Sequence, residues 1–170
     1  MKTKQTIQSY CLPTPVGQVR VELSDRGLRS LTLPRGRARR RRKSAAVLDA
    51  MLRRLQCNLR DYFEGKAVDL RHPMDLDGAT PFQRAVWRAL RRIPHGQTRT
   101  YAQIARAIGR PRACRAVGTA CGNNPLPLLI PCHRAVAHNG IGGFSAGRGW
   151  KKFLLDLEAA AEESSNILPE

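Results

Sequence analysis

Three prolines, Pro125, Pro127 and Pro131, frame the apolar run Leu128-Leu129-Ile130, and the last of them directly precedes Cys132-His133-Arg134. Proline has no amide proton to give and pushes the residue before it toward extended geometry, so no helix can form here. The spacing predicts a stiff, non-helical rod that crosses the interior and delivers Cys132 and His133 to one fixed place. A free thiol beside an imidazole at the end of such a rod reads as a nucleophile with its proton acceptor. Taken alone, such a pair is more often a buried cysteine beside a surface histidine. Neighbouring side chains in an extended segment point to opposite faces, so His133 is not expected to touch the sulfur. A water would carry the proton between them.

The rest of the chain must decide. At 170 residues it fits one compact domain or two small ones, and 42% hydrophobic residues suffice for a core. Its charge is unusual: 30 Lys+Arg against 13 Asp+Glu leave a net +17. That excess, rich in arginine forks that grip phosphate, calls for a polyanionic partner, with nucleic acid ahead of an anionic membrane surface. The five cysteines, Cys11, Cys57, Cys114, Cys121 and Cys132, form no short Cys-x-x-Cys spacing. Free thiols in a reducing compartment fit better than a disulfide framework. A metal held by Cys11, Cys57 and His72 is a weak alternative. The N-terminus lacks the apolar segment of a signal peptide, and no run is long enough to span a bilayer. A soluble, cytoplasmic protein (nuclear in a eukaryote) is expected.

Val19, Val21 and Leu23 alternate with Arg20 and Glu22, the period of a half-buried strand, and Asp25-Arg-Gly27 turns it into a returning strand over 28–33. The like-charged block Arg35 to Lys43 reads as a solvated loop, a contact for DNA phosphates or a nuclear import signal. Leu48, Met51, Leu52 and Leu55 predict an amphipathic helix from about Ala45 to Leu59, closed by Gly65. Residues 66–78 read as a strand and linker. Beyond them, Thr80-Pro-Phe-Gln83 and Thr100-Tyr-Ala-Gln103 are both capping-box starts. The first helix should reach Ile93 before Pro94 and Gly96 end it. The second should stop at Gly109, and Pro111 should open a third over Arg112 to Cys121. The last two form a helix-turn-helix whose small residues, Ala113, Ala116, Gly118 and Ala120, let backbone approach DNA while Arg112 and Arg115 project. After a glycine-rich loop from Asn139 to Gly149, Trp150, Phe153, Leu154 and Leu157 mark a final amphipathic helix, with fraying expected from Ala159 onward. Glu158 lies at the margin of that stripe, where a carboxylate wants a buried partner; His133 is the candidate.

Pro131-Cys-His-Arg134, with Asn124-Pro125 and Arg115-Ala-Val-Gly118 before it, resembles the O6-alkylguanine-DNA alkyltransferases, also called methylated-DNA–protein-cysteine methyltransferases. Thr14 to Gly17, Tyr62 to Gly65, Thr80 to Gln83, Gly96 to Tyr101 and Lys151 to Glu158 extend the similarity across most of the chain. The resemblance implies an α/β (α+β) fold: a small RNase H-like sheet-and-helix domain over 1–78, a mostly helical, winged-helix-like DNA-binding domain over 79–160, and a flexible tail over 161–170. It implies direct repair, in which Cys132 irreversibly takes the alkyl group of a flipped O6-alkylguanine. His133 would relay the thiol proton through water, Glu158 would polarise His133, and Asn124 would support the bend carrying Cys132. Tyr101 would donate to the base, with Thr100 beside it, and Arg115 would fill the vacated stack. Arg112, Ala116 and Gly118 would meet DNA; Ser145 and the backbone near Val136 would line the guanine pocket. No cofactor and no metal are implied, and a monomer acting on duplex DNA, with O4-alkylthymine as a second substrate to test, is expected. Three features depart from the family: the 138–144 loop is one residue short, Phe144 stands where tyrosine is common, and Cys114 replaces the usual alanine.

The chemistry agrees with the residue types. An O6-alkyl group is out of reach inside a duplex, so the base must be extruded at a cost of a few kcal/mol. The product is a thioether that nothing in the sequence could hydrolyse, which implies one turnover per molecule. Three alternatives stay open: a damage sensor that binds the flipped base without accepting its alkyl group, a major-groove regulator, and a cysteine hydrolase. The presence of Cys132 argues against the first, and the second leaves Cys132, His133 and Glu158 without a purpose. No evident oxyanion loop supports the third.

Overall fold

The structure, a computed structural model, describes residues 6–34 and 49–165. The basic block 35–43 and the expected helix start at Ala45 lie outside the described residues. The chain divides into two compact units, Met1–Asp77 and Gly78–Glu170.

The first unit holds a three-stranded antiparallel sheet in the order β1 (Gln8–Thr14), β2 (Gly17–Ser24), β3 (Gly27–Thr32), and the helix α1 (Ala50–Phe63). Val19 and Val21 are buried as the alternation requires, but a register shift between Glu22 and Leu23 breaks the period. The bulge turns Ser24 inward, where its hydroxyl donates to Asp75 Oδ2 at 2.8 Å. Asp49 caps α1 through Leu52 N (2.8 Å), which sets the helix start later than its apolar spacing suggests. Leu52, Leu55 and Leu59 bury its inner face. The strand expected within 66–78 is absent: that segment makes one bridge, Met74 with Leu28. Asp75 ties it down instead, accepting from Ser24 and from Arg29 Nη1 at 3.2 Å.

The second unit is mainly helical: α2 (Pro81–Leu90), α3 (Tyr101–Ala107), α4 (Cys114–Gly122) and α5 (Arg148–Ser165), with a short parallel pair, β4 (Arg99–Thr100) and β5 (Ala135–Val136). Both capping boxes form: Thr80 and Thr100 each accept from the backbone of Gln83 and Gln103, whose side chains reach back. α2 ends at Leu90, one turn before Ile93. α4 begins at Cys114 rather than at Arg112, because 110–113 form a turn closed by Ala113 N to Arg110 O (2.9 Å). α4 packs against α2 and α3, and Trp87 Nε1 donates to Ala120 O at 2.9 Å.

The expected rod is a folded-back loop. Ile130 N bonds Leu126 O at 2.9 Å, and Leu128 adopts a left-handed φ of 75°. Residues Cys132–Arg134 then form one 3-10 turn. The prolines deny a helix, as expected, but Asn124 supplies the polar contacts that let the loop turn inside the core: its Nδ2 donates to Ile130 O (2.8 Å) and its Oδ1 accepts from Leu126 N (2.9 Å). α5 remains helical to Ser165, past Ala159. Its buried face is Lys151, Leu154 and Glu158; Phe153 is 39% exposed and sits outside the stripe.

Candidate active site

Cys132 ends the folded-back loop with only 2% of its surface exposed. Asn124 Nδ2, which already holds Ile130 O, also donates to Cys132 Sγ at 3.0 Å. Burial pushes the thiol upward in pKa, while the Asn124 hydrogen bond and the Lys151 ammonium pull it back down; the net direction is up. The resting group is therefore a thiol poised beside donors that favour its thiolate once the proton leaves.

Behind it His133 and Glu158 are both fully buried, and His133 Nε2 meets Glu158 Oε1 at 2.8 Å. Glu158 collects three further donors: Arg134 Nη2 on Oε1 (2.9 Å), and Arg134 Nε (2.9 Å) and Gly96 N (3.0 Å) on Oε2. Arg134 Nη1 reaches Ile93 O at 2.7 Å, locking the guanidinium against the end of α2. Burial alone would raise the Glu158 carboxyl, but the bonds from His133 and Arg134 outweigh it and hold the group well below the usual carboxylate range. Burial lowers His133, against the pull of Glu158. The imidazole is neutral and Arg134 balances the carboxylate, an arrangement that leaves the ring ready to accept a proton.

A cavity of about 420 Å³ opens over the thiol, lined by Tyr101, Gly118, Cys121, Gly122, Cys132, Gly143, Phe144 and Ser145. Tyr101 begins α3, where the Thr100 cap fixes it, and burial keeps its phenol protonated. Its hydroxyl leaves no room at the neighbouring loop: a Cβ at Gly142, whose φ is 73°, would come within 2.7 Å of it. Phe144 stands edge-on to His133 with ring centroids 6.4 Å apart.

Thus Cys132, His133, Glu158, Asn124, Tyr101, Gly118 and Ser145 come together around one cavity and the hydrogen-bonded cluster behind it. Thr100 and Val136 pair across β4–β5 next to it without lining the cavity. Arg115 and Ala116 are exposed on α4, and Arg112 is exposed in the turn before it. Among the described residues no group of three or more His, Cys, Asp or Glu side chains could hold a metal, so Cys11, Cys57 and His72 form no such site.

Two participants escape sequence reasoning. Lys151 is fully buried, with Nζ donating to Ala135 O and to Gly143 O (3.1 Å) and lying 5.7 Å from the Tyr101 ring centre. Its position three residues before Leu154 and seven before Glu158 was the available signal. Cys121, whose thiol burial raises to about 12, lines the cavity from α4, a role nothing in its local sequence marks.

The fold and this cluster define a nucleic-acid-binding domain built around a buried cysteine. The profile of the 6-O-methylguanine DNA methyltransferase DNA-binding domain matches residues 81–160. A methylated-DNA–protein-cysteine methyltransferase of Methanosarcina barkeri is 38% identical over 149 residues, covering 86% of this chain and 94% of that one. The crystal structure of the Mycobacterium tuberculosis O6-methylguanine methyltransferase superposes with a TM-score of 0.72 at 30% identity, covering 92% and 94% of the two chains. A structure of that organism's protein in complex with DNA matches with a TM-score of 0.73 at 34% identity, covering 89% and 92%. The chain belongs to the methylated-DNA–protein-cysteine methyltransferase family.

Proposed function

We propose that the protein repairs O6-alkylguanine in duplex DNA by moving the alkyl group onto Cys132, once per molecule. The observation that carries this reading is the Asn124-bound thiol at the wall of a base-sized cavity, with the His133–Glu158–Arg134 cluster behind it. The residues fall within 79–160, which we take as the DNA-binding and alkyl-acceptor domain, with 1–78 as its companion.

The thiol proton passes through a water to His133, and because Nε2 is engaged by Glu158, uptake belongs to Nδ1. Glu158 steadies the imidazolium that forms. Sγ then attacks the alkyl carbon, the carbon–O6 bond breaks, and its electron pair returns to the purine, which Tyr101 protonates; the proton released by His133 restores the Tyr101 phenol through solvent. Asn124 stabilises the thiolate before attack. The products are guanine and a thioether. A thioether has no leaving group within reach of the described side chains, so the protein is consumed.

DNA binding follows from charge. No Asp or Glu occurs between Asp77 and Asp156, and Arg106, Arg110, Arg112 and Arg115 stand exposed on α3, on α4 and in the turn between them. The small residues of α4 let it lie against the duplex, with Arg115 filling the stack and Arg112 and Ala116 on the backbone. The guanine pocket is built by Tyr101, Gly118 and Ser145, with the strand at Val136 beside it. We take the working form as a monomer, in the compartment that holds the DNA, where the free cysteines stay reduced. Among the described residues no helix is long and apolar enough to cross a membrane.

The test is intact-protein mass after incubation with a duplex containing O6-methylguanine, followed by peptide mapping. The expected result is a gain of one methyl on Cys132, stopping there, and none for Cys132→Ser, which still binds the lesion. Tight binding with no gain would make the protein a damage sensor. O4-methylthymine duplexes, run in parallel, decide whether that base is also a substrate.

A further inference from the structure

α2 has two working faces. Val86, Trp87 and Leu90 are buried, and Trp87 bonds to α4. A second side of α2, carrying Ala85, Arg88 and Ala89 at i, i+3, i+4 spacing, borders with Arg92 of the following turn a groove of about 590 Å³ between α2 and α3. The groove has an apolar floor, including Ala85, Ala89 and Ile104, and a rim carrying Arg88, Arg92 and Arg99. The short alanine side chains are what leave it open. No residue of α4 and none of the thiol cavity lines it, although α4 packs against both helices, so the groove lies on the side of the α2–α3 pair that α4 does not cover.

Among the described residues the rim charges are little engaged. Arg88 and Arg92 are exposed and make no ion pair or side-chain hydrogen bond among the described residues; Arg99 reaches only Thr98 O (2.9 Å) and Gln97 Oε1 (3.4 Å). A solvated basic face would need no apolar trench beneath it, and a phosphate backbone brings no apolar group to fill one. Carboxylates set around an apolar ridge satisfy both features: arginine forks hold carboxylates bidentately, and an amphipathic helix lays apolar side chains at i, i+3, i+4, i+7 into a groove.

We propose that this groove docks an acidic amphipathic helical segment of a partner protein, leaving α4 and the thiol cavity free for DNA. Alkyl transfer itself does not depend on the groove, so the two readings stand or fall separately.

The probe is a fluorescein-labelled synthetic peptide with leucines on one helical face and glutamates on the other, read by fluorescence anisotropy. A peptide of the same composition, shuffled so that the leucines share no face, is the control. The amphipathic peptide should bind about tenfold or more tighter than the shuffled one, and Arg88→Gln/Arg92→Gln should lose at least about that factor. Ala89→Trp, which fills the floor without altering charge, should lose binding too, with circular dichroism confirming that it folds. In the Arg88→Gln/Arg92→Gln protein, methyl transfer and the salt dependence of duplex binding should match the parent. Equal binding of the shuffled peptide, or unchanged binding by the double variant, would overturn the proposal. So would a salt slope smaller by about two in that variant, because each lost phosphate contact lowers it by about one and the arginines would then belong to the DNA surface.

Discussion

Replacing Glu158 by glutamine tests the buried cluster most directly. Its two oxygens accept four hydrogen bonds, from His133 Nε2, Arg134 Nη2, Arg134 Nε and Gly96 N. An amide offers one oxygen and one NH2 group. If nitrogen takes the Oε1 place, His133 and Arg134 Nη2 face a donor; if it takes the Oε2 place, Arg134 Nε and Gly96 do. Either way two donors lose their acceptor and the guanidinium loses its counter-charge. An unmet buried donor costs about 1–3 kcal/mol, and breaking a buried ion pair costs about 3–5 kcal/mol. These describe the same lost contacts, so the expected destabilisation is about 3–5 kcal/mol rather than their sum. For a unit of this size, at roughly 4–8 °C per kcal/mol, the melting temperature should drop by more than about 10 °C. Transfer should slow by about 10²-fold or more, the contribution of a positioned general base. The assay pairs urea unfolding with single-turnover methyl transfer from a labelled duplex, measured well below the variant's melting point. Asp156→Asn, on the same helix but in an exposed pair with Lys152, serves as control and should change stability by less than about 1 kcal/mol. Parental stability together with a parental rate for Glu158→Gln would refute the role given to the cluster.

Acidification should destabilise the fold through the same residues. His133 is held below its ordinary value of 6.5 and Glu158 below its ordinary 4.5, so in both cases the unfolded chain binds protons more readily. Their stabilisation is present above those values and is lost as pH falls, first below 6.5 and further below 4.5; a urea midpoint unchanged between pH 7 and about 4 would contradict this. Lys151→Met should raise the Cys132 thiol further and free Gly143, slowing transfer at neutral pH with partial recovery at higher pH; an unshifted rate–pH profile would remove Lys151 from the thiol's electrostatics. Arg115→Ala should slow repair of duplex DNA by about tenfold or more while sparing single-stranded substrate, because only a duplex requires a base to be turned out. Equal slowing on both would deny the finger role.

What could be read in advance was local. The capping boxes at Thr80 and Thr100 depend on three-residue spacing, and both form. The chemistry-bearing residues stood in short motifs, and the resemblance they carried led to the correct family. What escaped depended on distant contacts or compensations. β1 was not anticipated; it carries Pro13 and lies at the edge of the sheet, where proline is tolerated. The rod became a turn because Asn124 provides hydrogen bonds that proline spacing does not reveal. Phe153 was placed on the core face of α5 by its hydrophobicity, whereas the core there accommodates Lys151 and Glu158, whose partners lie on other elements.

The bond from Gly96 N to Glu158 closes across 62 residues, and that from His133 across 25. Loops of that length close late, after local helices have formed. As the chain emerges from the ribosome, Cys132 is made well before α5, so until the last helix docks the thiol lacks the carboxylate that steadies its proton acceptor. On the proposed mechanism, activation of the sulfur would be timed to the completion of the C-terminal unit, and a half-made molecule would be spared from spending its single alkylation.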